Sequence, residues 1–320
     1  MTFPRRPQEA YAEPSAFALG GQTRRLSPHI GFLVPAICAV VFFSSTASAA
    51  ANWAVRTQPT RLLNGAPVLF QVRAPGKIES LTGTWLGHQL TFSYSGTSRI
   101  WFALAGVSLE TTPGKYALTL SGMRTGGGAQ VSFAHEIAVA RAKYPQIKVE
   151  LTVAKKFTEP SPEQQQEAAE GAKIKQDYLN RVTPAREWSG NFTAPAIAAV
   201  SDVFGSQRIF NGVAQSPHQG LDFRVPTGTP VTAMNDGTVL LARPLYFEGN
   251  FVVIDHGQGL LTLYLHLSEF KVKEGDVVKG GQEIGLSGGT GRATGPHLHV
   301  AVRWQGTYLD PARLLQLALP

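Results

Sequence analysis

Apolar and polar positions alternate in short runs along most of this chain, and Gly, Pro, Ser and Asn break the runs. Between residues 53 and about 142 the runs are 66–72, 89–94, 100–104, 116–120 and 131–137. Runs of this length, separated by turn residues, predict short strands folded into a small β-sandwich. Residues 145–192 change to charged and amide side chains. The alternating stretch 147–153 predicts one more strand there. Ser161-Pro162-Glu163-Gln164 predicts a helix start, with Ser as N-cap, Pro in the first turn and Gln closing a capping box. That helix is expected over 162–181, ending ahead of Pro184. It is polar nearly all round, so it is expected to be a strut rather than core.

From about residue 194 the strand pattern returns. Asn235-Asp236-Gly237 predicts a hairpin turn between Val231 and Val239. Residues 251–256 and 260–266 read as apolar strands joined by Gly257-Gln258-Gly259, and 272–280 has the turn-rich look of a compact β module. A short helix is expected only at 312–317. The prediction is an all-β protein: an N-terminal β-sandwich-like domain (50–145), a linker with a strand and a polar helix (146–193), and a C-terminal β-sheet domain with an open cleft (194–320).

The first 49 residues belong to a different reading. Arg24 and Arg25 precede an apolar run, 31–43, and small residues follow up to Ala49. Basic flank, short apolar run and an Ala-x-Ala end predict a secretory signal cleaved after Ala49, and hence a periplasmic or cell-envelope location. The stretch ahead of Arg24 is long for a signal, consistent with a translation start downstream of Met1. The run is short and interrupted by Pro35, so no stable membrane span is expected after cleavage. Cys38, the one cysteine of the 320 residues, lies inside it. The remainder therefore has no thiol for a disulfide, a thiolate ligand or a nucleophile, and any metal site must use N and O ligands. The formal charge is +7; without residues 1–49 it is +5. A mildly cationic exported protein suits an anionic envelope polymer. No basic cluster interleaved with aromatics occurs, so nucleic acid is not an expected partner.

Five of the eight histidines fall between positions 218 and 299. His218 and Asp222 are four apart, but Pro217 and Gly220 argue against a helix and place them on a loop entering a strand. His297 and His299 share a strand face by the period of two, with Leu298 pointing the other way. The same rule predicts that Tyr264 and His266 share a face. Three segments thus aim imidazole or carboxylate at one side of a sheet. This gathering suggests a zinc site of two His and one Asp with spare His beside it, as in a hydrolase. His88 and His135 are isolated and read as surface or structural. His256 is expected to support a strand end, and Glu248 and Glu269 to be solvated. Residues 289–295 lack the Lys-Ser/Thr ending of a phosphate loop and are expected to let backbone approach the cleft.

Taken together, His218-x-x-x-Asp222, His266 within Tyr264-Leu265-His266-Leu267-Ser268, and His297-x-His299 resemble the LytM/lysostaphin-type zinc metallopeptidases, family M23. Arg208-Ile209-Phe210-Asn211-Gly212, Gly249-Asn250-Phe251, Ile254-Asp255-His256-Gly257, Lys279-Gly280-Gly281-Gln282 and Gly291-Arg292-Ala293-Thr294-Gly295-Pro296 support the likeness, in the family's order, over roughly 196–311. The N-terminal domain resembles the β-rich N-terminal domains of some exported members far more weakly. The resemblance implies metal ligation by His218, Asp222 and His299, with one Zn2+ per chain. It implies that His266 and His297 are unliganded catalytic histidines. It also places Asn211 and Arg208 near the substrate groove, Arg208 meeting a substrate carboxylate. The activity implied is endopeptidase hydrolysis of peptide stems or cross-links of peptidoglycan. The alternative on this scaffold, a non-catalytic wall-binding or amidase-activating protein, goes with missing ligands, and none is missing here. A lipoyl-type carrier, suggested by residues 274–280, needs a Lys at a hairpin tip that Asn235-Asp236-Gly237 does not offer. The order of the domains raises one further expectation, self-inhibition, with the N-terminal domain and strut shielding the cleft.

Overall fold

The computed structural model describes residues 53–145 and 148–320. The predicted signal segment and Cys38 lie outside them. Among the described residues no helix is long and apolar enough to cross a membrane.

Nine strands make the N-terminal part: β1 (Ala54–Gln58), β2 (Leu62–Leu63), β3 (Pro67–Arg73), β4 (Ile78–Trp85), β5 (His88–Thr91), β6 (Ser93–Ser95), β7 (Ile100–Gly106), β8 (Gly114–Arg124) and β9 (Gln130–Ala140). They form two sheets, ordered β1-β3-β7-β6 and β2-β9-β8-β4-β5. Val68, Phe70, Leu81, Trp85, Leu118 and Leu120 fill the space between them. Phe70 and Trp85 meet edge-on at 5.2 Å, and the Trp85 indole N–H donates to Gly106 O at 3.0 Å. A buried Trp needs such an acceptor, because leaving its one donor unpaired costs about 1–3 kcal/mol.

In the linker, β10 (Lys148–Leu151) leads to α1 (Pro162–Leu179). Ser161 and Gln164 close the capping box that the sequence predicts. At the other end Arg303 donates to Leu179 O at 2.7 Å and Asn180 Oδ1 at 3.2 Å, supplying donors a helix C-terminus lacks. The polar pattern of α1 misleads in one respect. Its few apolar residues, Ile174, Tyr178 and Leu179, pack on Leu241, Leu245, Phe251, Val253, Leu261 and Leu263. The helix therefore covers one face of a sheet and is not a free strut.

The C-terminal strands are β11 (Val200–Asp202), β12 (Gln207–Phe210), β13 (Val213–Ala214), β14 (Leu221–Phe223), β15 (Pro230–Thr232), β16 (Gly237–Leu245), β17 (Gly249–Asp255), β18 (Leu260–Leu267), β19 (Glu269–Phe270), β20 (Val277–Val278), β21 (Glu283–Leu286), β22 (Leu298–Trp304) and β23 (Thr307–Leu309), before a short α2 (Pro311–Leu314). The main sheet runs β11-β14-β22-β18-β17-β16-β20, with β23 on β22. Small sheets β10-β12-β13 and β15-β21-β19 flank it. One face of the main sheet carries Val252, Ile254, Tyr264, Val300, Val302 and Trp304 into the core shared with the sandwich. The opposite face carries Phe251, Leu261, Leu263 and Ala301. With both faces covered over much of their length, β17, β18 and β22 read as nearly unbroken apolar runs.

The expected hairpin at Asn235-Asp236-Gly237 is corrected. β15 pairs with β21, whereas β16 pairs with β17 and β20, so the turn passes between two sheets. Its side chains hold neighbouring loops instead: Asn235 Oδ1 accepts from Ser189 N (3.0 Å) and Asp236 Oδ1 from Gly280 N (2.9 Å).

The sandwich packs directly on the C-terminal part. Phe102 lies 5.9 Å from Trp188 and His88 lies 4.9 Å from Trp304. A Cβ at Gly106 would stand 2.5 Å from the Leu309 side chain, so only glycine allows that approach.

Candidate metal centre

Asp222 and His299 sit directly opposite each other on antiparallel β14 and β22. Leu221 and Phe223 point to the core, so Asp222 points to the other face, and the same alternation brings His299 beside it. His218 arrives from the loop ahead of β14. Its Nδ1 bonds Val203 O at 3.0 Å; since a carbonyl only accepts, Nδ1 carries the proton and Nε2 is bare. Gly220 closes the approach: a Cβ there would lie 2.5 Å from His299 Nε2. His299 therefore turns Nδ1 towards the set.

The three donor atoms form a tight triangle. His218 Nε2 is 3.0 Å from His299 Nδ1 and 3.2 Å from Asp222 Oδ1, and His299 Nδ1 is 2.7 Å from that oxygen. Tetrahedral bonds of 2.0–2.2 Å imply donor separations of roughly 3.3 Å, so two imidazoles and a carboxylate already stand close to metal-binding spacing. All three residues are buried. Burial alone would raise the Asp222 carboxyl. The neighbouring imidazoles of His299 and His218 outweigh it and hold the group well below the usual range. Burial pushes His299 down to about 4, leaving a neutral imidazole of the kind a metal requires. Arg208 adds a further sign that this pocket accepts positive charge: its guanidinium donates to Asp222 Oδ2 and to His218 Nε2 at 2.9 Å.

His266 reaches the same face by a device absent from the simple alternation. Asn250 pairs with Leu267 and Val252 with Tyr264, so Leu265 and His266 together oppose Phe251 alone. This is a β-bulge, and His266 adopts a φ of +64° within it. The expectation that Tyr264 and His266 share a face is thereby corrected. Tyr264 points into the core and bonds Met234 N at 2.8 Å, whereas His266 faces the cleft. Its Nδ1 donates to Thr290 O at 2.8 Å. The 289–295 loop thus orients the His266 imidazole, and Gly249 (φ +64°) gives Thr290 the room to approach. Burial, reinforced by His297 and His299, pushes His266 down to about 3. His297 is half-buried, its ring 4.9 Å from that of His266, and its Nδ1 donates to Gly295 O at 2.9 Å.

His218, His266 and His299 line one end of a cleft whose floor is the α1-covered face of the main sheet, with Phe251, Leu263, Leu265, Ala301 and Tyr308 along it. Residues 216–311 match the family model described as peptidase family M23. The chain carries an M23 peptidase domain. A peptidoglycan DD-endopeptidase of Vibrio cholerae, ShyA, is 56% identical over 84 residues, which are 26% of this chain and 20% of that protein. A DD-carboxypeptidase/endopeptidase of Neisseria meningitidis, Mpg, is 46% identical over 103 residues, 32% of this chain and 23% of that protein. The chain thus spans about a fifth of the length of these curated relatives. A Pseudomonas aeruginosa crystal structure assigned to peptidase M23 superposes with a TM-score of 0.62 at 27% identity, covering 80% of this chain and 95% of the other.

Two residues placed near the groove by resemblance have other partners in the M23 domain. The Asn211 amide bonds Val153 N and O and Thr158 Oγ1, each at 3.3 Å, and so ties the linker down. Arg208 lines the cleft, but Asp202 holds its Nε at 2.8 Å while Asp222 takes Nη2. Its fork is occupied by protein carboxylates, one of them Asp222 of the candidate metal triangle. Asp202, which also accepts from Ser206 Oγ at 2.5 Å, carries no signal in the sequence that marks it out. Glu248 is not solvated as expected: its side chain is 13% exposed and pairs with Lys175 of α1 at the cleft edge. Glu269 is solvated, pairing with Lys271 at 2.5 Å. His88 meets Trp304 at a tilt and His135 stacks on Phe133, and His256 is locked between Asp236 O (2.6 Å) and Thr262 Oγ1 (2.8 Å).

Proposed function

We propose that this protein is an exported zinc-dependent endopeptidase that hydrolyses peptide stems or cross-links of peptidoglycan. The observation that carries the reading is the triangle of His218, Asp222 and His299 with the paired rings of His266 and His297 beside it. Two nitrogens and one oxygen from three residues suit zinc and leave room for water, the pattern of catalytic rather than structural sites. When bound, zinc would supply Lewis acidity and bring the pKa of a water towards ~7.

The remaining steps belong to the chain's own side chains. His266 and His297 each donate Nδ1–H to a carbonyl, so each presents a bare Nε2. A bare Nε2 takes the proton of the attacking water, and the protonated imidazole then delivers it to the departing amine. The names of the curated relatives support peptidoglycan as substrate, and the Arg24 to Ala49 pattern supports export. Shielding is assigned to α1 and not to the sandwich: Lys175 lines the cleft, and no residue of 53–145 does.

The experiment pairs metal analysis with digestion of purified sacculi, identifying released muropeptides by mass spectrometry. About one zinc per chain and lysis are expected, and His299→Ala should lose both. A His299→Ala protein that still cleaves would show the ligand assignment to be wrong.

A further inference from the structure

The cleft holds three cations, and two of them are already matched. Lys175 pairs with Glu248, and Arg208 with Asp202 and Asp222. The third, Arg292, stands apart. Among the described residues its guanidinium makes no ion pair and no side-chain hydrogen bond, although it lines the cleft with His218, His266 and His299. It is not loose. Its backbone N–H donates to Phe247 O at 2.8 Å, and the guanidinium carbon lies over the Phe247 ring at 4.7 Å and over the Phe210 ring at 5.0 Å. Gly291 makes this anchoring possible, since a Cβ there would lie 2.2 Å from Gly249 N.

Contact with two apolar rings takes up none of the guanidinium's N–H donors, so its planar fork stays open. A partly buried charge with no partner is costly, and the cost is offset when an anion arrives. Burial disfavours the charged form; the Glu248 carboxylate, already paired with Lys175, favours it in part and Arg208 opposes it, so the chain itself supplies no full compensation. Two rings fixing an open fork in a cleft describe a receptor for a planar anion. We propose that Arg292 is a specificity-determining residue that grips a carboxylate of the substrate peptide other than the group being cleaved. This rests on the hydrolase reading for the identity of the ligand. Arg208, the sequence-based candidate for that contact, is a positioning residue for Asp222.

The test compares a cross-linked muropeptide carrying free carboxylates with the same muropeptide after conversion of its carboxylates to amides. Binding to the full chain is measured by calorimetry with metal chelated, and hydrolysis is measured separately with zinc. The free carboxylate form should bind roughly tenfold to a hundredfold more tightly, the range of a charge-assisted bidentate contact. Arg292→Gln should erase the difference, and Arg292→Lys, a point charge without the fork, should recover part of it. Equal binding of the two forms by the unmodified protein, or discrimination that survives in Arg292→Gln, overturns the proposal. A binding difference lost in Arg292→Gln, with neither form cleaved in zinc, would uphold the carboxylate site and sink the hydrolase reading alone.

Discussion

The N-terminal sandwich and the M23 domain are built from the same short strands, but they treat polar side chains differently. Of the buried polar or charged residues, Asn64 alone belongs to the sandwich, whereas Asp222, Asp255, Thr262 and four histidines lie among the M23 strands. The sandwich closes two sheets on each other, and each inward position meets apolar partners. The M23 sheet turns one face to that common core and divides the other between α1 and the cleft. Imidazoles can be buried in the second region because each finds a carbonyl, hydroxyl or carboxylate partner. The difference separates what holds the chain together from what does chemistry, and it is testable by substitutions of one kind in each region.

The largest effect on stability is expected in the sandwich. Phe70 is fully buried against Trp85. Phe70→Ala should cost about 3–5 kcal/mol by denaturant unfolding, because the cavity adds to the lost transfer energy. Zinc bound per folded chain should not change. Loss of metal from folded Phe70→Ala protein would break the division, making the sandwich part of the site.

How far each region was readable follows from the same contrast. Short apolar runs between turn residues carry the sandwich, although β3 and β7 are buried almost continuously and do not alternate. Strand periodicity carries His299, on regular strand β22, whereas Asp222, expected on a loop entering a strand, stands on β14. It fails at His266, where one extra residue in β18 reverses the face, and a bulge has no composition of its own. It fails at α1, where Ile174, Tyr178 and Leu179 suffice to dock a helix that looks solvated. Arg208 and Arg292 are indistinguishable as letters. Which one keeps an open fork depends on Asp202 and on two aromatic rings, all distant from Arg292 in sequence.

A smaller effect separates His256 from the histidines of the candidate site within the M23 domain. His256 is as buried as His299, but both its nitrogens are bonded within the core. Burial pushes it down to about 4 from an ordinary 6.5. Between those values the unfolded chain takes up a proton that the folded chain refuses. Its contribution is therefore complete above about pH 6.5 and declines as pH falls towards 4, by about 3 kcal/mol in all. His266 and His299 shift in the same direction, so the comparison must be differential. Stability measured against pH should fall less steeply over this window in His256→Gln than in the unmodified protein. Parallel curves would mean that His256 does not titrate differently on folding.

The smallest effect concerns the boundary between the two uses of the outer sheet face. α1 is held there by Ile174, Tyr178 and Leu179, and the Lys175–Glu248 pair lies at its edge with side chains 29% and 13% exposed. The pair is only partly covered, so it contributes about 1 kcal/mol, and Lys175→Ala should move the unfolding midpoint only slightly. It should nevertheless widen the cleft entrance, since Lys175 is the one linker residue lining it. A rise in the rate of sacculus hydrolysis of roughly two- to fivefold is expected, the scale set by losing a contact of that strength. An unchanged rate would leave α1 as a cover for the apolar face alone, and the cleft would then be open without any displacement of the linker.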